Sequence, residues 1–187
     1  MTGGDPLRVA VIGVGRRGKE HLETLAAMPD RYELVAVCDP SEGATRSAAP
    51  GVNGYSSTDD LFAREKLDAI VIATPPDTHH LIVRQAAERG IAMLIETPLA
   101  LTRKMMDVIC QTVARSGVKA EVGENMWRRP SDRLARKAIE AGLIGRVLRV
   151  SSYYDDAADN CPYHTVSRMR FLVDADVTEV QAHAQLS

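Results

Sequence analysis

Over the first 123 residues, short runs of apolar, often β-branched residues alternate with stretches whose apolar positions fall on a helical spacing. Residues 7–12 (LRVAVI), 33–38 (ELVAVC), 68–73 (DAIVIA), 92–95 and 119–122 are runs of the first kind. Most of these have almost no polar interleaving, which predicts strands buried on both faces. Between them, residues 16–28 place Leu22, Leu25 and Ala26 on one helical face and stop before Pro29. Residues 42–49 and 59–65 predict short helices, with a loop over 50–54. Asp77 is positioned to cap a helix running to about Arg89 and ending at Gly90. Residues 102–116 predict a further helix, closed by Gly117. This alternation predicts an α/β fold, a doubly wound parallel sheet covered on both faces by helices in right-handed crossovers.

After Gly123 the texture changes. Residues 130–141 predict a helix that ends at Gly142. Residues 146–154 predict one long strand with polar residues interleaved, so one face is wet. A helix over 162–173 and a last strand over 177–184 complete the chain. The expected organisation is a first domain over residues 1–144 and the start of an α+β substrate domain over 145–187. Strand, helix and strand are too little to close a core.

Composition narrows the function classes. The chain has 187 residues, 45% hydrophobic and 26% charged, which is ordinary globular composition and excludes a disordered or fibrous chain. The net charge of −2 gives no basic field for nucleic acid or an anionic membrane, and 4% aromatics gives little for base stacking. No apolar run approaches the length of a membrane span. Residues 1–6 lack a charged and an apolar region, so no secretory signal is expected. Cys38, Cys110 and Cys161 are odd in number and widely spaced, which predicts reduced thiols, mostly core filler, in a cytoplasmic protein.

The chemistry concentrates in VAVIGVGRRGKEHL, where Gly13-x-Gly15-x-x-Gly18 follows a strand and opens a helix. In that context Gly13 permits the tight turn, Gly15 lets the backbone approach a pyrophosphate, and Gly18 lets helix and strand pack closely. Amide groups and the dipole at the helix start then hold the anion. Asp39 ends the second run, where a carboxylate hydrogen-bonds an adenosine ribose diol and repels a 2′-phosphate. This favours NAD over NADP. Arg16 and Arg17 either face the phosphates or form a solvated helix start. Thr74 and Pro75 sit at the carboxyl end of the 68–73 run, where ligands bind in open α/β sheets. Glu96 follows the 92–95 run and is placed either to bind the nicotinamide-side ribose or to act as a helix-entry charge.

These features together resemble the glucose–fructose oxidoreductase and inositol dehydrogenase (Gfo/Idh/MocA) family. The matching stretches are VAVIGVGRRG, VAVCDP, ATPPDTH, IETPLALT, VGENMWRRP and IEAGLIGRV, in this order. The resemblance implies a Rossmann-type dinucleotide domain followed by a mostly β substrate domain. It also implies hydride transfer between a nicotinamide and a carbinol carbon of a sugar, cyclitol or related small molecule. By the same resemblance, His79 belongs to the cofactor loop, and Thr97 and Asn125 to the cofactor side. Trp127, Arg128 and Asn160 fall on the substrate side. His164 matches the family's histidine in an Asp-x-x-x-His pair and is a general-base candidate.

Two departures stand out. The family usually has Glu-Lys-Pro where this chain has Glu96-Thr97-Pro98, and Thr97 supplies no charge. Asn160 stands four residues before His164, where the family has aspartate. The acidic loop Asp155, Asp156 and Asp159 has no ligand spacing for a metal, and none is expected. The leading reading is therefore an NAD-dependent oxidoreductase. The alternatives are a protein that binds NAD without turnover, or a shortened family member. The expected partners are a small-molecule substrate and a second copy or complementing chain, with no nucleic acid and no membrane.

Overall fold

The computed structural model describes residues 5–151 and 162–181. The chain divides into two compact units, residues 1–123 and 124–187. The division lies at the change of texture after Gly123, and not at the 142–145 boundary expected from the sequence.

The first unit runs β1 (Leu7–Ile12), α1 (Arg16–Ala26), β2 (Tyr32–Cys38), α2 (Glu42–Ala48), β3 (Asn53–Tyr55), α3 (Thr58–Arg64), β4 (Ala69–Ile72), α4 (His79–Ala87), β5 (Ala92–Ile95), α5 (Arg103–Ser116) and β6 (Ala120–Val122). Its six strands form one sheet in the order β3-β2-β1-β4-β5-β6. Every pairing is parallel, so the α/β, Rossmann-type architecture expected from the sequence is the one found.

Alternation along the strands feeds two cores. Val9 and Val11 of β1, with Val37 and Val71, pack under Leu22 and Leu25 of α1 and Ala44 and Ala48 of α2. Ala10 and Ile12, with Ala36, Ile70, Ile72, Met93 and Ile95, pack under Leu61, Phe62, Ile82, Val83, Ala86 and Ile109 of α3, α4 and α5. Helices thus cover both faces, as parallel strands require. Cys38 lies in this core, where burial first and then the Asp39 and Asp60 charges push its thiol up to about 11. It is the inert filler expected. Cys110 is exposed, and Cys161 lies outside the described residues.

Several local expectations need correction. Residues 53–55 form the edge strand β3 where a loop was expected. The N-cap of α4 is Thr78, not Asp77, and it caps without a side-chain bond to the helix. Ser41, Ser57 and Thr102 do cap their helices through side-chain oxygens.

The second unit contains a 3-10 turn (Met126–Arg128), α6 (Pro130–Glu140) and α7 (Pro162–Val173). Residues 146–151 and 177–181, expected as strands, have no regular structure, and the rest of those two runs lies outside the described residues. A strand exists only where a neighbour takes its backbone donors and acceptors, and neither segment has one among the described residues. The helices are joined by an ion pair between a buried carboxylate and a half-buried guanidinium. Asp132 Oδ1 on α6 accepts from Arg168 Nη2 (2.7 Å) and Nε (3.2 Å) on α7.

Candidate functional site

In the first unit, the chain moves outward from β1 through β2 to β3, then crosses back to place β4 on the other side of β1. The carboxyl ends of β1 and β4 are therefore a topological switch point, where open parallel sheets bind ligands.

The glycine loop fills this point for steric reasons. Gly13 has φ +88°, and a Cβ there would lie 2.7 Å from the Ala73 carbonyl and 2.8 Å from the Thr74 nitrogen. Any side chain would be expelled by the turn after β4. A Cβ on Gly18 would lie 1.9 Å from the Gly13 oxygen, so α1 could not pack where it does. A Cβ on Gly15 meets nothing within 4 Å. Its open flank leaves space beside the first turn of α1, whose amides have no intrahelical acceptor. That turn holds no acidic side chain. The residues present therefore fit a dinucleotide pyrophosphate.

Asp39, just past β2, closes the loop from the other side. Its Oδ2 accepts from the Val14 N–H (3.1 Å) and its Oδ1 from the Ser41 N–H (3.0 Å). An ionised carboxylate offers about four acceptor sites, so Asp39 keeps capacity for ribose hydroxyls while it is fixed in place.

The loops after β4 and β5 are strapped together by His79, which is 1% exposed. Its Nε2 lies 2.9 Å from the Thr74 carbonyl and its Nδ1 3.1 Å from the Leu99 carbonyl. The Thr78 hydroxyl bridges Thr74 Oγ1 (2.8 Å) and the Pro75 carbonyl (2.7 Å). Thr74 and Pro75 are thus held by neighbours rather than left as a loose turn, and His79 acts as their support.

Glu96 is buried, and its Oε1 accepts from Arg17 Nη2 (2.7 Å) and His21 Nε2 (2.6 Å), while Oε2 accepts from the Thr97 N–H (3.2 Å). Burial pushes this carboxyl up. The hydrogen bonds from His21 and Arg17, the Arg17 charge and the Thr97 N–H outweigh that and bring it down to about 2. Since an ionised carboxylate only accepts, His21 Nε2 carries a proton. Three of the roughly four acceptor sites of the Glu96 carboxylate are thus taken by protein donors. It is the centre of an ion cluster that ties the start of α1 to the end of β5.

Arg17 belongs to this cluster and also meets Glu20. In the structure its guanidinium is committed to carboxylates rather than turned to phosphates. Arg16 is largely exposed and pairs with Glu20 one turn on (3.2 Å), which is the solvated helix start. His21 had no assigned role in the sequence. The signal that could have found it is its i,i+4 spacing from Arg17 on α1.

In the second unit, His164 lies near the start of α7, largely buried, with its Nδ1 2.6 Å from Glu124 Oε2. The other oxygen, Glu124 Oε1, accepts from the Met126 N–H (2.9 Å). Sequence reasoning looked for the histidine's carboxylate at position 160, found Asn160, and missed Glu124. Asn160 lies outside the described residues. Asn125 caps the 3-10 turn through its carbonyl, which accepts from the Arg128 N–H (3.0 Å). Arg128 lies over the Trp127 ring (4.9 Å), and Trp127 packs against Phe171 (5.7 Å). These side chains line an open groove of about 480 Å³ with Arg133, Arg136, Lys137, Glu140 and Phe171.

Among the described residues, no three His, Cys, Asp or Glu side chains converge on a metal-sized site, and no helix is long and apolar enough to cross a membrane.

Known proteins place this geometry. The chain is 27% identical to scyllo-inositol 2-dehydrogenase (NAD(+)) of Bacillus subtilis, over 96% of this chain and 58% of that protein. It is 32% identical to the rhizopine catabolism protein MocA of Rhizobium meliloti, over 81% of this chain and 48% of that protein. Among solved structures, the WlbA dehydrogenase from Bordetella pertussis, in complex with NADH and UDP-GlcNAcA, superposes with a TM-score of 0.79 at 29% identity. That match covers 90% of this chain and 58% of WlbA. The chain thus spans about half the length of the relatives it matches. Residues 7–124, which contain the whole glycine cradle, Asp39, the His79 strap and the Glu96 cluster, match the Gfo/Idh/MocA oxidoreductase family with its NAD-binding Rossmann fold, and the chain belongs to that family.

Proposed function

We propose that this chain serves an NAD-dependent oxidoreductase. Its reaction is hydride transfer between the nicotinamide and a carbinol carbon of a sugar, cyclitol or similar small molecule. The observation that carries the reading is the cradle formed by Gly13, Gly15 and Gly18 with Asp39 fastened to its Val14 amide. In this reading the Gly15 flank and the first turn of α1 take the pyrophosphate, and Asp39 takes the adenosine ribose. Thr74 and Pro75 line the nicotinamide side, with His79 keeping them in place. By the family resemblance Asn125 is assigned to binding the cofactor, and Trp127, Arg128 and Asn160 to binding the substrate. Bound NAD supplies the hydride acceptor. The substrate's C–H gives up hydride, its hydroxyl proton passes to His164, and the carbinol becomes a carbonyl. The names of the relatives support the substrate class: inositol in one and a sugar nucleotide in another.

A second reading, NAD binding without turnover, has its own support. Thr97 is neutral where the resembling family carries lysine, and Glu96 is engaged by Arg17, His21 and Thr97. Titration with NADH, followed by oxidation of a panel of inositols and sugars monitored through NADH absorbance, separates the two. Saturable NADH binding with polyol-dependent NADH formation is the expected result. Binding with no turnover on any member of the panel selects the second reading. No binding refutes both.

A further inference from the structure

We propose that Glu124 is the positioning residue of His164, a carboxylate–imidazole dyad that fixes the ring's tautomer and orientation. The functional part of this proposal rests on the reading of His164 as the base.

The distance between Nδ1 and Glu124 Oε2 is 2.6 Å, with the two side chains only 16% and 14% exposed. This is just under the about 2.7–2.9 Å of charge-assisted hydrogen bonds from nitrogen. The carboxylate is itself anchored, because its second oxygen accepts from the Met126 N–H (2.9 Å) at the 3-10 turn. The Tyr163 ring lies beside it, tilted by 53° with centroids 4.3 Å apart. A carboxylate accepts and does not donate, so the neutral imidazole must carry its hydrogen on Nδ1. That leaves the lone pair on Nε2, the atom that receives a proton. When Nε2 takes a proton, the new positive charge lies against an anion already in position.

Other charges on the elements packed against α7 do not duplicate this role. On α6, Asp132 is paired with Arg168 of α7 (2.7 Å). Arg136 on α6 pairs with Glu140 (2.6 Å) and with Asp174 (3.1 Å). On the 3-10 turn, Arg128 lies over Trp127. Asp155, Asp156 and Asp159 lie outside the described residues. The dyad thus supplies a carboxylate to the ring in a chain whose residue four positions before the histidine is asparagine.

The test uses the full chain, with NMR of the histidine ring nitrogens in the wild type and in Glu124→Gln, and His164→Gln to assign the signal. The wild type is expected to show the Nδ1–H tautomer. In Glu124→Gln, whose amide can donate as well as accept, the Nε2–H form is expected to appear beside it. The wild-type tautomer needs no variant, so it decides even if Glu124→Gln does not fold. An Nε2–H tautomer in the wild type, or a tautomer ratio unmoved by Glu124→Gln, overturns the dyad. In turnover, Glu124→Gln is expected to lower kcat with KM little changed, and Glu124→Asp to restore part of the rate. A merely structural loss lowers the folded fraction and leaves the tautomer ratio of the folded protein unmoved. If the wild-type ring is the Nδ1–H form but no polyol is oxidised, the dyad stands and the hydride-transfer reading falls.

Discussion

The Glu96 cluster makes a quantitative claim about stability. The carboxyl sits at about 2 in the folded chain against an ordinary 4.5. A depressed carboxyl stabilises the fold above its unfolded value and loses that contribution as pH falls through the folded value. The window is therefore pH 4.5 down to about 2. At 1.36 kcal/mol per unit, the contribution is about 3 kcal/mol at neutral pH. Glu96→Gln keeps the shape and removes the charge, leaving Arg17 with Glu20 alone. The stability gap between wild type and variant should thus be about 3 kcal/mol larger at pH 7 than near pH 2. In urea this is a difference of ~1–3 M between the two midpoints, for slopes of 1–3 kcal/mol/M. Far-UV circular dichroism is the right probe, because the single tryptophan, Trp127, lies in the second unit and does not report on the sheet. The titration of all other carboxylates is common to both proteins and cancels in the gap. A gap that stays constant from pH 7 to pH 2.5 would refute the claim that Glu96 is ionised and held by Arg17 and His21.

Three further outcomes follow from the same geometry. Asp39→Ala should narrow the preference for NADH over NADPH by roughly 1–3 kcal/mol, the cost of losing a charged hydrogen-bonding partner; equal affinity of the wild type for both cofactors, measured by fluorescence titration, would sink the assignment. Gly15→Ala should leave the melting temperature nearly unchanged while weakening NADH binding, whereas Gly13→Ala, at φ +88° and with a Cβ 2.7 Å from Ala73, should destabilise the fold itself by about 1–3 kcal/mol. Leu134, Leu143, Leu148 and Val180 of the second unit are all at least two-thirds exposed, so self-association or a complementing chain is expected by light scattering; a monodisperse monomer with slowly exchanging amides over 177–181 would contradict it.

Most of the sheet was legible because its strands are buried on both faces and leave a continuous apolar run. The strand β3 was not. Its sequence is Asn53-Gly54-Tyr55, with no apolar pattern at all, and it forms because the outer edge of β2 offers paired positions at Ala36, Val37 and Cys38. Gly54 is favoured there, because a Cβ would lie 3.0 Å from Thr45 Oγ1. The opposite failure occurred at residues 146–151 and 177–181. Their alternation reports which face a strand would bury, but a strand also needs a neighbour, and alternation is silent about that.

The site divides along the same line. The glycine cradle could be read from sequence because each glycine answers to a contact within one β-turn-α unit, or to the strand beside it. The ion cluster could not, since Glu96 lies 79 residues from Arg17 and 75 from His21. Nor could the partner of His164, which lies 40 residues away on another element. A spacing rule such as Asp-x-x-x-His finds a carboxylate only when it lies one helical turn from its histidine. The chemical requirement is weaker than the rule: one anion within hydrogen-bond reach of Nδ1, held by a second contact. Glu124 meets it from the end of β6, with the Met126 amide as its anchor. An asparagine at position 160 therefore removes one route to orient the imidazole without removing the carboxylate from the ring.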